Sequence, residues 1–137
     1  MYSMLIFEFI FQGGFMVHWV CIALGGAIGA VARSIIQVLL EPLNQNFPTG
    51  TFVANAFGCF LAGILIPFWP TWPSWLKSLV MAGFLGALTT YSSFAVDIVT
   101  LASSHKMVVA LGYLSLTIGL CLSLCFLGYY CGQKLIT

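Results

Sequence analysis

Gly86-Ala87-Leu88-Thr89-Thr90-Tyr91-Ser92-Ser93-Phe94 stands in the middle of an apolar stretch, yet it does not suit an ordinary membrane-spanning helix. It sets small residues, four hydroxyl side chains beside Tyr91, and two aromatic rings three positions apart inside apolar sequence. Lipid offers no hydrogen bonds to a polar backbone. Irregular polar sequence at membrane depth must therefore face protein or a water-filled path. Transporters and channels hold their ions at such interrupted segments.

The sequence around this stretch is that of an integral membrane protein. Of the 137 residues, 61% are hydrophobic and only 5% are charged, against ~25% charged in a soluble domain. At ~20 apolar residues per span, the length allows four helices with short loops and no extramembrane domain. A spanning β-barrel would need segments of alternating polarity, and none is present. The expected spans are residues 17–40, 49–68, 76–102 and 107–131. The first loop pairs Pro42 and Pro48 with Asn44 and Asn46, which end helices and start turns. The second carries Pro67, Pro70 and Pro73 among Trp69, Trp72 and Trp75, suited to the headgroup interface. Residues 1–16 read as an extension, interfacial or dispensable, with Met16 as an alternative start. Residues 17–137 then form one four-helix transmembrane domain.

The charged residues are Arg33, Lys77, Lys106, Lys134, Glu8, Glu41 and Asp97, with His18 and His105 beside them. So few leave no set for catalytic acid–base chemistry and no basic surface for nucleic acid. The chain is not expected to be an enzyme. Cys21, Cys59, Cys121, Cys125 and Cys131 show no metal-binding spacing and read as small buried hydrophobes. With a cytoplasmic N-terminus, Lys77 and Lys134 fall inside while Arg33 and Lys106 fall toward the outside. The positive-inside bias is then close to zero. A chain without that signal can insert both ways, and oppositely oriented copies can pair about a two-fold axis in the membrane plane. One copy is too small to enclose a pore, so an antiparallel, dual-topology dimer is expected.

The second span carries two stripes at helical spacing, Gly50/Ala54/Gly58/Ala62 and Thr51/Asn55/Cys59/Gly63. The first has a GxxxG pair in Gly25 and Gly29. Small residues every four positions let helices approach closely in lipid. Asn55 is the amide in the interior of a span, and either an interhelical hydrogen bond or donation to an anion would use it. Tyr113, Thr117 and Cys121 recur every four residues in the fourth span, as a polar track or a packing stripe. Arg33 can snorkel to headgroups or raise the local anion concentration in a vestibule.

Three segments together resemble the Fluc/CrcB family of fluoride channels: residues 25–33 (GGAIGAVAR), 48–55 (PTGTFVAN) and 83–94 (GFLGALTTYSSF). The resemblance covers the chain from about residue 17 onward. It implies four-helix subunits with the third helix broken mid-membrane, in antiparallel homodimers. It also implies passive fluoride export across a bacterial plasma (inner) membrane. Gly86 and Thr89 match positions whose carbonyls hold a structural sodium ion. Tyr91 and Phe94 match two phenylalanines whose ring edges face fluoride, Asn55 matches a pore asparagine, and Arg33 matches the arginine of the first helix. Thr51, Ser92, Tyr113 and Thr117 would add pore hydroxyls. Tyr91 for phenylalanine, Ala87 for glycine, Ser93 for threonine and Cys121 for serine depart from that pattern. A subunit from a sister gene could replace the second identical copy. The competing class is a small dual-topology proton-coupled multidrug antiporter. It would need a carboxylate deep in a span, whereas Glu8, Glu41 and Asp97 lie before, between or toward the ends of spans.

Overall fold

A computed structural model describes residues 13–44 and 46–136. Residues 1–12, with Glu8 and most of the expected extension, lie outside the described residues. Among those described, the regular structure is helical and contains no strand. Helix α1 (Gly13–Leu39) leads through a 3-10 turn (Glu41–Leu43) to α2 (Thr49–Leu65). A second 3-10 segment (Ile66–Thr71) precedes α3 (Ser74–Lys77), which runs into a π-helical segment (Ser78–Leu85) and α4 (Gly86–Leu88). Helices α5 (Tyr91–Ser103) and α6 (Met107–Lys134) complete the fold.

Four stretches are long and apolar enough to cross a membrane: Phe15–Leu39, Thr49–Thr71, Ser74–Ser103 and Met107–Lys134. The protein is a multi-pass membrane protein. The expected spans hold, with shifted ends. The first begins earlier, at Gly13, and the second loses its α-helical geometry at Ile66, where the first of the loop prolines enters. Nothing in the sequence signals the π-helical segment.

Packing follows the small-residue stripes. α2 lies along α6, and α1 lies against the π-helical segment and α4. Gly25 and Gly29 are buried, and a Cβ on Gly29 would run into the Phe84 carbonyl oxygen. Gly26, on another face, has open space. The far half of α2 meets α6 through Gly63, whose Cβ would strike the Cys125 carbonyl. Backbones touch directly at both seams, which is how helices gain contact in lipid.

The reversal from α5 to α6 is closed by a left-handed residue. His105 has φ 60°, its N–H bonds Ala102 O at 3.2 Å, and Lys106 N–H bonds Leu101 O at 3.0 Å. These bonds have the Schellman pattern that usually employs glycine. The turn brings Lys106 Nζ to Asn46 Oδ1 at 3.2 Å. At the opposite end, Lys77 stands over the Trp69 ring at 5.4 Å, and Lys134 shares a groove with Pro67 and Pro70.

Candidate functional site

Thr89 (φ −83°, ψ 151°) and Thr90 (φ −148°, ψ 115°) have extended backbone between α4 and α5. Peptides that leave a helical ladder need other partners, and Asn55 supplies them. Its Nδ2 donates to Thr90 O at 3.1 Å, and Thr90 N donates to its Oδ1 at 2.7 Å. An N–H can only donate, so the amide orientation follows from this pairing. Asn55 is 8% exposed, and one Nδ2 hydrogen remains beyond the bond to Thr90. The interhelical bond is thus the role that the geometry displays for Asn55.

Thr90 caps α5: its Oγ1 accepts from Ser93 N at 3.1 Å and meets the Ser92 and Ser93 hydroxyls at 3.1 Å each. In an unbroken helix the Thr90 N–H would serve the Gly86 carbonyl, and the Ser93 N–H the Thr89 carbonyl. Both donors are turned to side chains instead.

An aromatic column starts at this point. Tyr91 and Phe94 have ring centroids 5.8 Å apart, Phe94 and Tyr113 5.3 Å, and Tyr113 and Phe47 5.1 Å. Phe94 and Tyr113 are buried, whereas Tyr91 is 82% exposed. A groove of about 240 Å³ lies beside the extended residues, lined by Asn55, Thr89, Thr90, Tyr91, Phe94 and Thr117, with Cys59, Cys121 and Ile118. Its lining contains no carboxylate and no cation. Thr117 Oγ1 is buried and has no hydrogen-bond partner among the described residues.

At the other end of the column is a second cavity of about 420 Å³. Thr51, Asp97, Asn46, Gln37 and Lys106 contribute its polar lining. Between the two, Tyr113 OH donates to Asp97 Oδ2 at 3.2 Å. The expected pore residues therefore divide. Asn55, Tyr91, Phe94 and Thr117 share the first groove, Thr51 lines the second cavity, and Tyr113 stands between. Arg33 on α1, Gly86 and the exposed Ser92 are not among the residues lining either space.

The sequence matches a known family. The family described as CrcB-like protein, Camphor Resistance (CrcB), matches residues 20–129. The chain belongs to the CrcB family. Among its relatives, the "Fluoride-specific ion channel FluC" of Aeromonas salmonicida is 42% identical over 117 residues, covering 82% of this chain and 94% of the relative. That of Hahella chejuensis is 38% identical over 109 residues, 77% of this chain and 86% of the relative. That of Saccharophagus degradans is 31% identical over 131 residues, 88% of this chain and 93% of the relative.

Within this CrcB chain, sequence reasoning overlooked two participants. Thr90 carried a usable signal, a Thr ahead of a helix with Ser three positions on, where an N-cap is expected. Asp97 was placed toward a helix end facing the interface. It follows Phe94 by three positions and so shares its face, which points it inward to Tyr113.

Proposed function

We propose that this protein is a fluoride-selective passive anion channel and not an enzyme; its relatives are named fluoride-specific ion channels. The observation that carries the reading is the Thr117 hydroxyl, buried without a partner among the described residues beside Phe94 and Asn55, in a groove to which those residues bring no carboxylate. A buried hydroxyl left unbonded costs ~1–3 kcal/mol, which a passing anion would recover. The remaining Asn55 N–H and the Tyr91 phenol add donors, and ring edges carry partial positive charge. A small, strongly hydrated anion needs such replacements for its water and must still be released.

The pathway is completed by a second, antiparallel copy. Lys77 and Lys134 lie at one end of the bundle and Arg33 and Lys106 at the other, so neither end is favoured for the cytoplasm. A copy across a two-fold axis would cover the groove that leaves Tyr91 open. The extended residues Thr89 and Thr90 form the mid-membrane break of the third span. The carbonyls of Gly86 and Thr89, freed of their helical donors, would hold a sodium ion on that axis. Backbone oxygens suit a hard cation, and no cluster of three His, Cys, Asp or Glu competes for it among the described residues. When bound, the ion supplies positive potential near the anion path and joins the two copies. The setting is a bacterial inner membrane, where the membrane potential drives fluoride out.

Fluoride efflux from liposomes tests the reading, with chloride compared and a pH gradient applied or withheld. Passive flux of fluoride is expected, and Phe94→Ile should abolish it with the dimer intact. Unchanged flux in that variant, or cation flux coupled to protons, would overturn the proposal.

A further inference from the structure

The end of the bundle where α2 and α6 finish carries an open groove of about 700 Å³, and none of its lining residues belongs to the proposed anion path. The 3-10 segment Ile66–Thr71 forms one wall and the last turns of α6 the other. Both walls are held together by backbone contact, because a Cβ on Gly128 would strike the Phe60 carbonyl and one on Gly132 the Ile64 carbonyl. The first wall suits hydrocarbon. Ile66 N–H bonds back to the Ala62 and Gly63 carbonyls, and Pro67 and Pro70 have no N–H to leave unpaired. The second wall adds polar groups. Lys134 Nζ stands 4.8 Å from the centre of the Tyr130 ring. Tyr129 OH accepts from Gln133 Nε2 at 2.9 Å, which leaves the phenol hydrogen to donate. An adjoining groove of about 290 Å³ shares Ile66 and Pro70 and adds Trp69 and Met81.

We propose that this groove binds an anionic diacyl phospholipid, with its phosphate at Lys134 and its acyl chains along Ile66, Pro67 and Pro70. Three properties point to that occupant. Trp69, Tyr129 and Tyr130 ring the two grooves, and such side chains collect at headgroup depth. A lysine at that depth buries its stem and presents its ammonium to the headgroups, and basic pockets between spanning helices take anionic ones. Charge favours the same choice. Among the described residues this end carries Lys77 and Lys134 and no carboxylate, since Glu41 follows α1 at the opposite end and Asp97 lies with Lys106 in the second cavity. Two adjoining apolar grooves also suit a ligand with two chains, which a free phosphate lacks. The site does not depend on fluoride conduction.

The full chain is immobilised in mild detergent with equal amounts of phosphatidylglycerol and phosphatidylcholine of the same acyl chains. After washing, retained lipid per chain is measured by mass spectrometry. One lysine at an anionic headgroup changes affinity by about five-fold. Phosphatidylglycerol should therefore exceed phosphatidylcholine by about five-fold or more. Lys134→Gln should remove that excess, and Lys106→Gln, at the opposite end, should keep it. Ile66→Trp fills the groove with Lys134 in place, so it should lower phosphatidylglycerol retention as well. Equal retention of the two lipids, or an excess unchanged in Lys134→Gln, would overturn the proposal. An excess lost in Lys134→Gln but kept in Ile66→Trp would refute the groove, because surface charge alone would then hold the lipid. Displacement of the lipid by excess inorganic phosphate would assign Lys134 to a free anion. A fall in dimer content in Lys134→Gln, read by light scattering with lipid retention unchanged, would assign the groove to a second copy of this chain. Either result would refute the lipid site.

Discussion

Asn55→Ala probes the point where the fold and the proposed ion path share one side chain. The amide holds both the N–H and the C=O of Thr90, at 2.7 and 3.1 Å. Alanine would leave two buried backbone groups unpaired at ~1–3 kcal/mol each. Water entering the adjoining groove would recover part of that, and interhelical bonds in membranes average only ~0.6 kcal/mol. A net local loss of ~2–4 kcal/mol results, which corresponds to roughly 30- to 1000-fold in an opening equilibrium. Hydrogen exchange at the Thr90 amide and the first turn of α5 reads this directly, beside liposome fluoride efflux. Both should change together in Asn55→Ala. Asn55→Asp keeps an oxygen for the Thr90 N–H but loses the donor to Thr90 O. Its exchange defect should be smaller while its efflux is lost outright, because a fixed negative charge repels the anion. Lost efflux with unchanged exchange in Asn55→Ala would refute the positioning role. Unchanged efflux in Asn55→Asp would refute the anion-facing one.

The remaining predictions follow from single contacts. Thr117→Val should stabilise the subunit by ~1 kcal/mol, since it removes an unbonded buried hydroxyl, while reducing fluoride efflux; thermal melts in detergent and liposome flux measure the two. A purely structural threonine would move only the first. Gly29→Leu should push α1 off Phe84 and cost ~1–3 kcal/mol or more, whereas Gly26→Ala, with open space around it, should leave the melting temperature within about a degree or two. His105→Gly should stabilise by ~1 kcal/mol by relieving the left-handed conformation, with flux preserved. A loss of stability there would mean that the His105 ring has a packing role.

The parts of the fold that could be read in the sequence rest on local rules. Small residues at four-residue intervals located both backbone seams, because at the closest points only glycine permits that approach. Prolines and tryptophans marked the ends of the second span and the loop after it. The parts that stayed hidden depend on which groups meet across helices. The π-helical turns of residues 78–85 arise in an apolar run with no period to betray them. Asp97 was read by its distance along the chain, yet its face on α5 set its partner. The cysteines were read as packing because no spacing joined them, and all five are free and part-buried.

Asn55 shows why the polar segment is tolerated at all. A peptide that leaves the helical ladder inside lipid must find donors and acceptors in protein, and a primary amide offers one of each in the geometry of a peptide group. Asn55 stands in for the missing helical partners of Thr90, so Thr90 N–H no longer serves Gly86. Thr90 then caps α5 and draws the Ser93 N–H away from Thr89. One amide and one hydroxyl thereby free two carbonyls and orient the helix that carries Phe94. The carbonyls and the aromatic face are outcomes of the same four hydrogen-bonding atoms, so a change at Asn55 or Thr90 should disturb both together, while Thr117→Val disturbs the anion side alone.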